Sequence, residues 1–247
     1  MSTAKGPAQI ILIGDSLTEY GGQLDHAGWA IALTSLYTRK MDVINRGLAG
    51  YTSEWVKYLL SQLLPPTPEN SPTVALVIIF IGANDSVLAS ELQHTPLEGY
   101  KQNLREMAST VRKHNTSTRL LFVAPPPFDD GAWEETCAKL GRKRQRDVKQ
   151  TALYSRACLE VAKELNIPAV DLWTAFTEDP RPHQDLFCDG LHMTRNGNYI
   201  ILSQILMAIK TAWPELDPEA LTPILPYWRD VDTSNLKECM RLSNPSV

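Results

Sequence analysis

Ile10-Ile11-Leu12-Ile13-Gly14-Asp15-Ser16 is an apolar run of strand length that stops at a glycine and then presents an acid and a hydroxyl. A short buried strand ending in a turn is where α/β folds place their chemistry. Taken alone, Asp15-Ser16 reads first as the cap of a following helix. A reactive Ser16 requires partners from elsewhere in the chain.

Working outward, Trp29 to Tyr37 carries apolar residues at near-helical spacing after Gly28, and Met41 to Asn45 reads as a second strand leading into Arg46-Gly47-Leu48-Ala49-Gly50. An apolar face through Trp55, Val56, Leu59, Leu60, Leu63 and Leu64 predicts the next helix, which the turn cluster Pro65 to Pro72 breaks. Val74 to Ile81 is apolar without alternation, the pattern of a central strand covered on both faces, and it ends in Gly82-Ala83-Asn84-Asp85. A helix is predicted from Leu97 to His114 behind Thr95-Pro96, then a fourth strand, Arg119 to Ala124, stopped by Pro125-Pro126-Pro127. Phe128 to Arg146 has no partner strand and reads as a solvated helix or lid, with Arg142-Lys143-Arg144 as an alternative anion-binding patch. A helix over Ala152 to Leu165, a fifth strand over Ala169 to Trp173, and a last helix from Thr194 to Trp213 with Thr194 as its cap complete the pattern. Strands alternating with helices imply an α/β fold, a parallel sheet with helices on both faces.

No linker divides the 247 residues, so a single domain over 1–213 is expected, with a C-terminal extension over 214–247 packed on it. A short helix at Ser234 to Leu242 is predicted in the extension, which could wrap the domain, cover the pocket or mediate a homodimer. Net charge is -4, which gives no basic footprint for nucleic acid. The longest apolar run is too short to cross a bilayer and the N-terminus lacks a signal-type segment, so a cytoplasmic location is expected. Cys137, Cys158, Cys188 and Cys239 are scattered, without a C-x-x-C pair, so neither a disulfide framework nor a zinc site is expected.

The polar, glycine-containing turns lie after strands: Gly14-Asp15-Ser16, Ala49-Gly50, Gly82-Ala83-Asn84-Asp85 and, beyond a longer loop, Asp189-Gly190-Leu191-His192. In a parallel sheet these ends share one edge and converge on one crevice. The residue types suit acyl transfer. A serine hydroxyl needs an imidazole to take its proton, and the imidazole needs an acid on its other nitrogen. Ser16 is therefore assigned as nucleophile, His192 as base and then acid, and Asp189 as its orienter. The Ser16 and Gly50 backbone N–H groups and the Asn84 side-chain amide supply an oxyanion hole. Singly, Gly50 and Asn84 also read as turn residues, and Asp189-x-x-His192 as a helix-entry cap. Nucleotide-binding glycine motifs, the G-x-S-x-G elbow and H-E-x-x-H are absent, and neither metal nor cofactor is expected.

These four blocks resemble those of the SGNH (GDSL-type) hydrolases, and Tyr37-Thr38-Arg39-Lys40-Met41-Asp42, Arg46 to Thr52 and Trp228-Arg229-Asp230-Val231 resemble the isoamyl acetate-hydrolysing esterase branch. The resemblance implies a flavodoxin-like three-layer α/β/α sandwich whose five-stranded sheet has the order 2-1-3-4-5. It also implies a serine esterase acting on small, acetate-type esters. Acyl transfer or thioester cleavage through the same acyl-enzyme, or a silent binding module, are the alternatives. Glu19, just after the first block, is expected near the pocket, and Pro125, Pro126, Pro127, Phe128 and Trp133 are candidates either for an apolar wall or for core packing. His26, His94, His114 and His183 are read as surface or loop residues.

Overall fold

The computed structural model describes residues 6–66 and 72–242; residues 67–71 of the predicted turn cluster and 243–247 of the extension lie outside them. Five parallel strands, β1 (Gln9–Gly14), β2 (Asp42–Gly47), β3 (Val74–Phe80), β4 (Arg119–Ala124) and β5 (Ala169–Asp171), form one sheet in the order β2-β1-β3-β4-β5. Each apolar run feeds both faces. Ile10 and Leu12 of β1 join one core cluster while Ile11 and Ile13 join the other. β3 and β4 divide in the same way, which is why their sequences show no polar alternation. A register shift between Gln9 and Ile10 pairs them with Val74 and Leu76, so Ala75 bulges from β3.

Helices cover both faces. On one, α2 (Trp29–Tyr37) packs with α8 (Arg195–Ala212); on the other, α4 (Leu97–His114) packs between α3 (Ser53–Leu63) and α6 (Val148–Glu164). Thr194 caps α8, accepting from the Gly197 N–H at 3.4 Å. The fifth strand is shorter than its apolar pattern predicts. The Asp171 carboxylate accepts from the Thr174 backbone N–H at 3.0 Å and its hydroxyl at 2.7 Å, so Leu172 and Trp173 open helix α7 (Leu172–Thr177) instead of extending β5. The segment after β4 holds helix α5 (Asp130–Lys139), capped by Asp129; Cys137 is its buried residue, and Phe128, just before the helix, is buried too.

Beyond α8 the chain crosses the edge of the sheet where the strands begin. The Tyr37 hydroxyl donates to the Leu216 carbonyl at 2.7 Å, Ile224 N–H donates to the Arg39 carbonyl at 2.8 Å, and the Arg39 guanidinium donates to the Leu225 and Pro226 carbonyls. A last short helix, α9, spans Leu236–Cys239. No described helix is long and apolar enough to cross a membrane.

At the opposite edge, two buried aspartates shape the turns after β1 and β3. Asp15 caps the single-turn helix α1 (Ser16–Glu19) by accepting from Leu17 N–H at 2.9 Å. Asp85 accepts from the Ser53 hydroxyl at 2.5 Å and the Ser53 N–H at 3.0 Å, fastening the β3 turn to the start of α3. Burial pushes both carboxyls from 3.8 up to about 6, outweighing the hydrogen bonds that pull them down. A native-state pKa above the unfolded one gives stability that is complete below about 3.8 and is lost as pH rises through about 6. Asp15→Asn keeps the capping oxygen and removes the titration. Its unfolding midpoint in urea is therefore expected to fall less than that of wild type between pH 5 and pH 7.5, and an identical fall in the two proteins contradicts this.

Candidate active site

The β1 strand delivers Ser16 to the sheet edge through Gly14. A Cβ on that glycine would overlap the Phe80 carbonyl oxygen and the Thr18 side chain, so the close approach of the β1 end to Phe80 and of the α1 turn to β1 needs the missing side chain. Ser16 begins α1 and is buried apart from a 7 % exposed remnant facing the cleft.

The loop before α8 brings the partners. Asp189 Oδ1 accepts from the backbone N–H groups of Leu191 (2.8 Å) and His192 (2.7 Å), which folds the loop into a tight turn. Oδ2 lies 2.6 Å from His192 Nδ1, and His192 Nε2 lies 3.0 Å from Ser16 Oγ. Since the carboxylate can only accept, Nδ1 carries the proton and Nε2 presents its lone pair to the serine hydroxyl. Burial raises the Asp189 carboxyl, but the hydrogen bonds and charge of His192 prevail and hold it below the usual aspartate range. It is therefore an anion across the neutral range. The loop is pinned from behind: Asp129 N–H donates to the Gly190 carbonyl at 2.7 Å, and the Thr136 hydroxyl to the Asp189 carbonyl at 2.9 Å. The α5 segment thus braces this loop.

Opposite His192, Gly50 sits in the turn after β2 with φ of +83°, a left-handed conformation that favours glycine. Its carbonyl accepts from Gln93 Nε2 at 2.6 Å, and its neighbour Ala49 donates its N–H to the Glu19 carboxylate at 2.5 Å. Asn84 Nδ2 donates to the Tyr51 carbonyl at 2.9 Å, linking the turns after β2 and β3. The backbone N–H groups of Ser16 and Gly50 donate to no protein acceptor among the described residues.

Ser16, Gly50, Asn84 and His192 line one cleft of about 650 Å³. A second, of about 530 Å³, opens on the other side of Ser16 and His192, between Gln23, His26, Cys188 and Met193. All five residues singled out from the sequence therefore meet at one edge, as the strand-end argument requires.

Glu19 lies beside the first cleft without lining it: the turn of α1 points its carboxylate at the N–H of Ala49, which is part of that cleft's wall. Other expectations are corrected. Pro125 to Phe128 are buried and line neither cleft; of the predicted apolar wall only Trp133 does. His26 lines the second cleft. The basic run splits: Arg144 pairs with Asp130 at 2.7 Å, while Arg142 lines the first cleft. Two residues had no signal in the reading of the chain. Tyr20 lays its ring against His192, centroids 4.9 Å apart, and Arg146, just beyond the basic run, is buried beside Asn84. Among the described residues no cluster of His, Cys, Asp and Glu could hold a metal ion.

Residues 12–200 match the model of the GDSL-like lipase/acylhydrolase family. The isoamyl acetate-hydrolyzing esterase 1 homolog of Bos taurus is 36% identical over 228 residues, covering 90% of this chain and 88% of the relative. The isoamyl acetate-hydrolyzing esterase of Saccharomyces cerevisiae is 32% identical over 239 residues, covering 92% of this chain and 98% of the relative. Among solved structures, the lipase/acylhydrolase from Enterococcus faecalis aligns with a TM-score of 0.62 at 25% identity, over 87% of this chain and 98% of that one. By sequence, sheet order and relatives alike, this chain belongs to the GDSL-like lipase/acylhydrolase family and is a carboxylic ester hydrolase.

Proposed function

We propose that the protein hydrolyses small carboxylic esters with short, acetate-type acyl groups through a covalent acyl-enzyme on Ser16. The carrying observation is the hydrogen-bond chain Asp189–His192–Ser16, with links of 2.6 and 3.0 Å. His192 Nε2 takes the hydroxyl proton as Ser16 Oγ attacks the ester carbonyl carbon. The imidazolium that results is stabilised by the Asp189 carboxylate. Charge collects on the former carbonyl oxygen, where the Ser16 and Gly50 N–H groups and the Asn84 amide donate. Collapse breaks the bond to the alcohol, which leaves with the proton from His192. Water then enters, loses a proton to His192 and releases the acid, restoring Ser16. Two clefts meeting at Ser16 give separate room for the acyl and alcohol parts. The acetate preference rests on the relatives named for isoamyl acetate, and the substrate is a free small molecule. The extension is part of the same folded unit, held by its bonds to Tyr37 and Arg39.

Three variants test the roles. Ser16→Ala is expected to abolish turnover of acetate esters with an unchanged thermal midpoint; near-normal turnover removes Ser16 as nucleophile. Asp189→Asn should cut kcat by roughly 10²–10⁴-fold, since the amide can hold His192 in the wrong tautomer. Asn84→Ala should lower kcat by roughly 10²–10³-fold with a smaller effect on KM. Rates measured along a series of acyl chain lengths should be highest for the shortest acids, and a maximum at long chains contradicts the substrate assignment.

A further inference from the structure

Arg146 is an unusual group to find inside the molecule. Its side chain is buried, with the residue 6 % exposed, yet among the described residues it takes part in no ion pair. Burial pulls it down to about 10, so it still carries its charge at neutral pH. Its nearest partners are neutral: Nη2 donates to Asn84 Oδ1 at 2.8 Å and Nη1 to the Ala83 carbonyl, while Nε is buried without a partner. The indole of Trp133 lies 5.5 Å from the guanidinium carbon. The Asp15 and Asp189 charges act on it only from beyond contact distance. A cation kept from water with no carboxylate in hydrogen-bond contact costs free energy, and structural needs alone are poorly served by it.

The geometry points to Arg146 as the positioning residue for the Asn84 oxyanion donor, fixing which way the amide faces and sharpening its N–H. This deepens the ester-hydrolysis reading above and rests on it. A guanidinium can only donate and the Tyr51 carbonyl can only accept. With Oδ1 on Arg146 and Nδ2 on Tyr51, both contacts are hydrogen bonds, and the second Nδ2 hydrogen is left for the cleft. A half-turn of the amide would set its NH₂ against the guanidinium and its oxygen against the Tyr51 oxygen. Both bonds would become repulsions, so only one orientation survives. The guanidinium charge donating to Oδ1 also draws electron density from the amide nitrogen, making its free hydrogen a better donor to an oxygen that gains charge in the transition state. Asn84 and Arg146 then act as one unit, with the charge set behind the amide and the reacting oxygen in front.

A thermodynamic cycle on kcat separates this from a general structural role, with an activated acetate ester as substrate. Arg146→Ala is expected to lower kcat by about 10- to 100-fold with KM changed less. Asn84→Ala/Arg146→Ala should be no slower than Asn84→Ala alone. Added guanidinium ion should restore part of the rate of Arg146→Ala and none of the rate of the double variant. Arg146→Lys should fall between wild type and Arg146→Ala. If Arg146→Ala fails to fold, Arg146→Gln and Arg146→Lys enter the same cycle. Wild-type kcat in the Arg146 variants, or losses that multiply in the double variant, overturns the positioning role while leaving the ester-hydrolysis reading in place. A wild-type rate in Asn84→Ala removes the oxyanion assignment itself and this inference with it.

Discussion

The hydrogen bond from Ser16 to His192 joins residues 176 apart in sequence, and the rest of the molecule is arranged to hold it at 3.0 Å. One end is fixed by β1, the strand paired on both sides near the middle of the sheet, through the turn that Asp15 caps. The other is fixed by the Asp189 turn, whose backbone bonds the carboxylate itself completes and whose outer side rests on α5. Neither end relies on the other for its shape. Two rigid supports that meet across a cleft are what a preorganised nucleophile requires.

Around that bond the sheet edge is crowded with buried polar groups that would be a burden elsewhere. Asp15 and Asp85 are desolvated carboxyls raised to about 6, and Arg146 is a desolvated cation lowered to about 10. Asp85 bonds Ser53 and so sets where the Gly50 turn leads into α3 relative to the Asn84 turn. Glu19 bonds Ala49 and ties the same turn to α1. The turns that carry Ser16, Gly50 and Asn84 are thus stitched to one another by carboxylates, while the backbone donors of Ser16 and Gly50 stay open. Local stability is given up where charge must be met during reaction.

Much of this was legible in the chain. Fully apolar runs such as Val74 to Ile81 mark strands buried on both faces, and the turns behind them mark the edge where a site can form. That Ser16, Gly50, Asn84, Asp189 and His192 gather at one edge is legible because each is followed or preceded by a strand or helix signal that fixes its edge. The order of the strands was not in the periodicity; it came from the family resemblance. Trp173 was misplaced because an aspartate at a strand end looks like a turn only once its carboxylate is seen capping Thr174. Arg146 was invisible because it follows Arg142, Lys143 and Arg144, and a basic run reads as a solvated face. Only the packing of Trp133 and Asn84 around it shows that one member of that region is inside.

In the proposed reaction it is the bond between His192 and Ser16 that makes Ser16 the nucleophile. Reaction with an organophosphonate, followed by peptide mass mapping, tests it most directly, since the phosphorus centre demands an activated hydroxyl and leaves a stable adduct. A single modification is expected, on Ser16, whose rate of formation collapses in His192→Ala while the protein stays folded. An adduct on another side chain, or one on Ser16 formed as fast without His192, would contradict it.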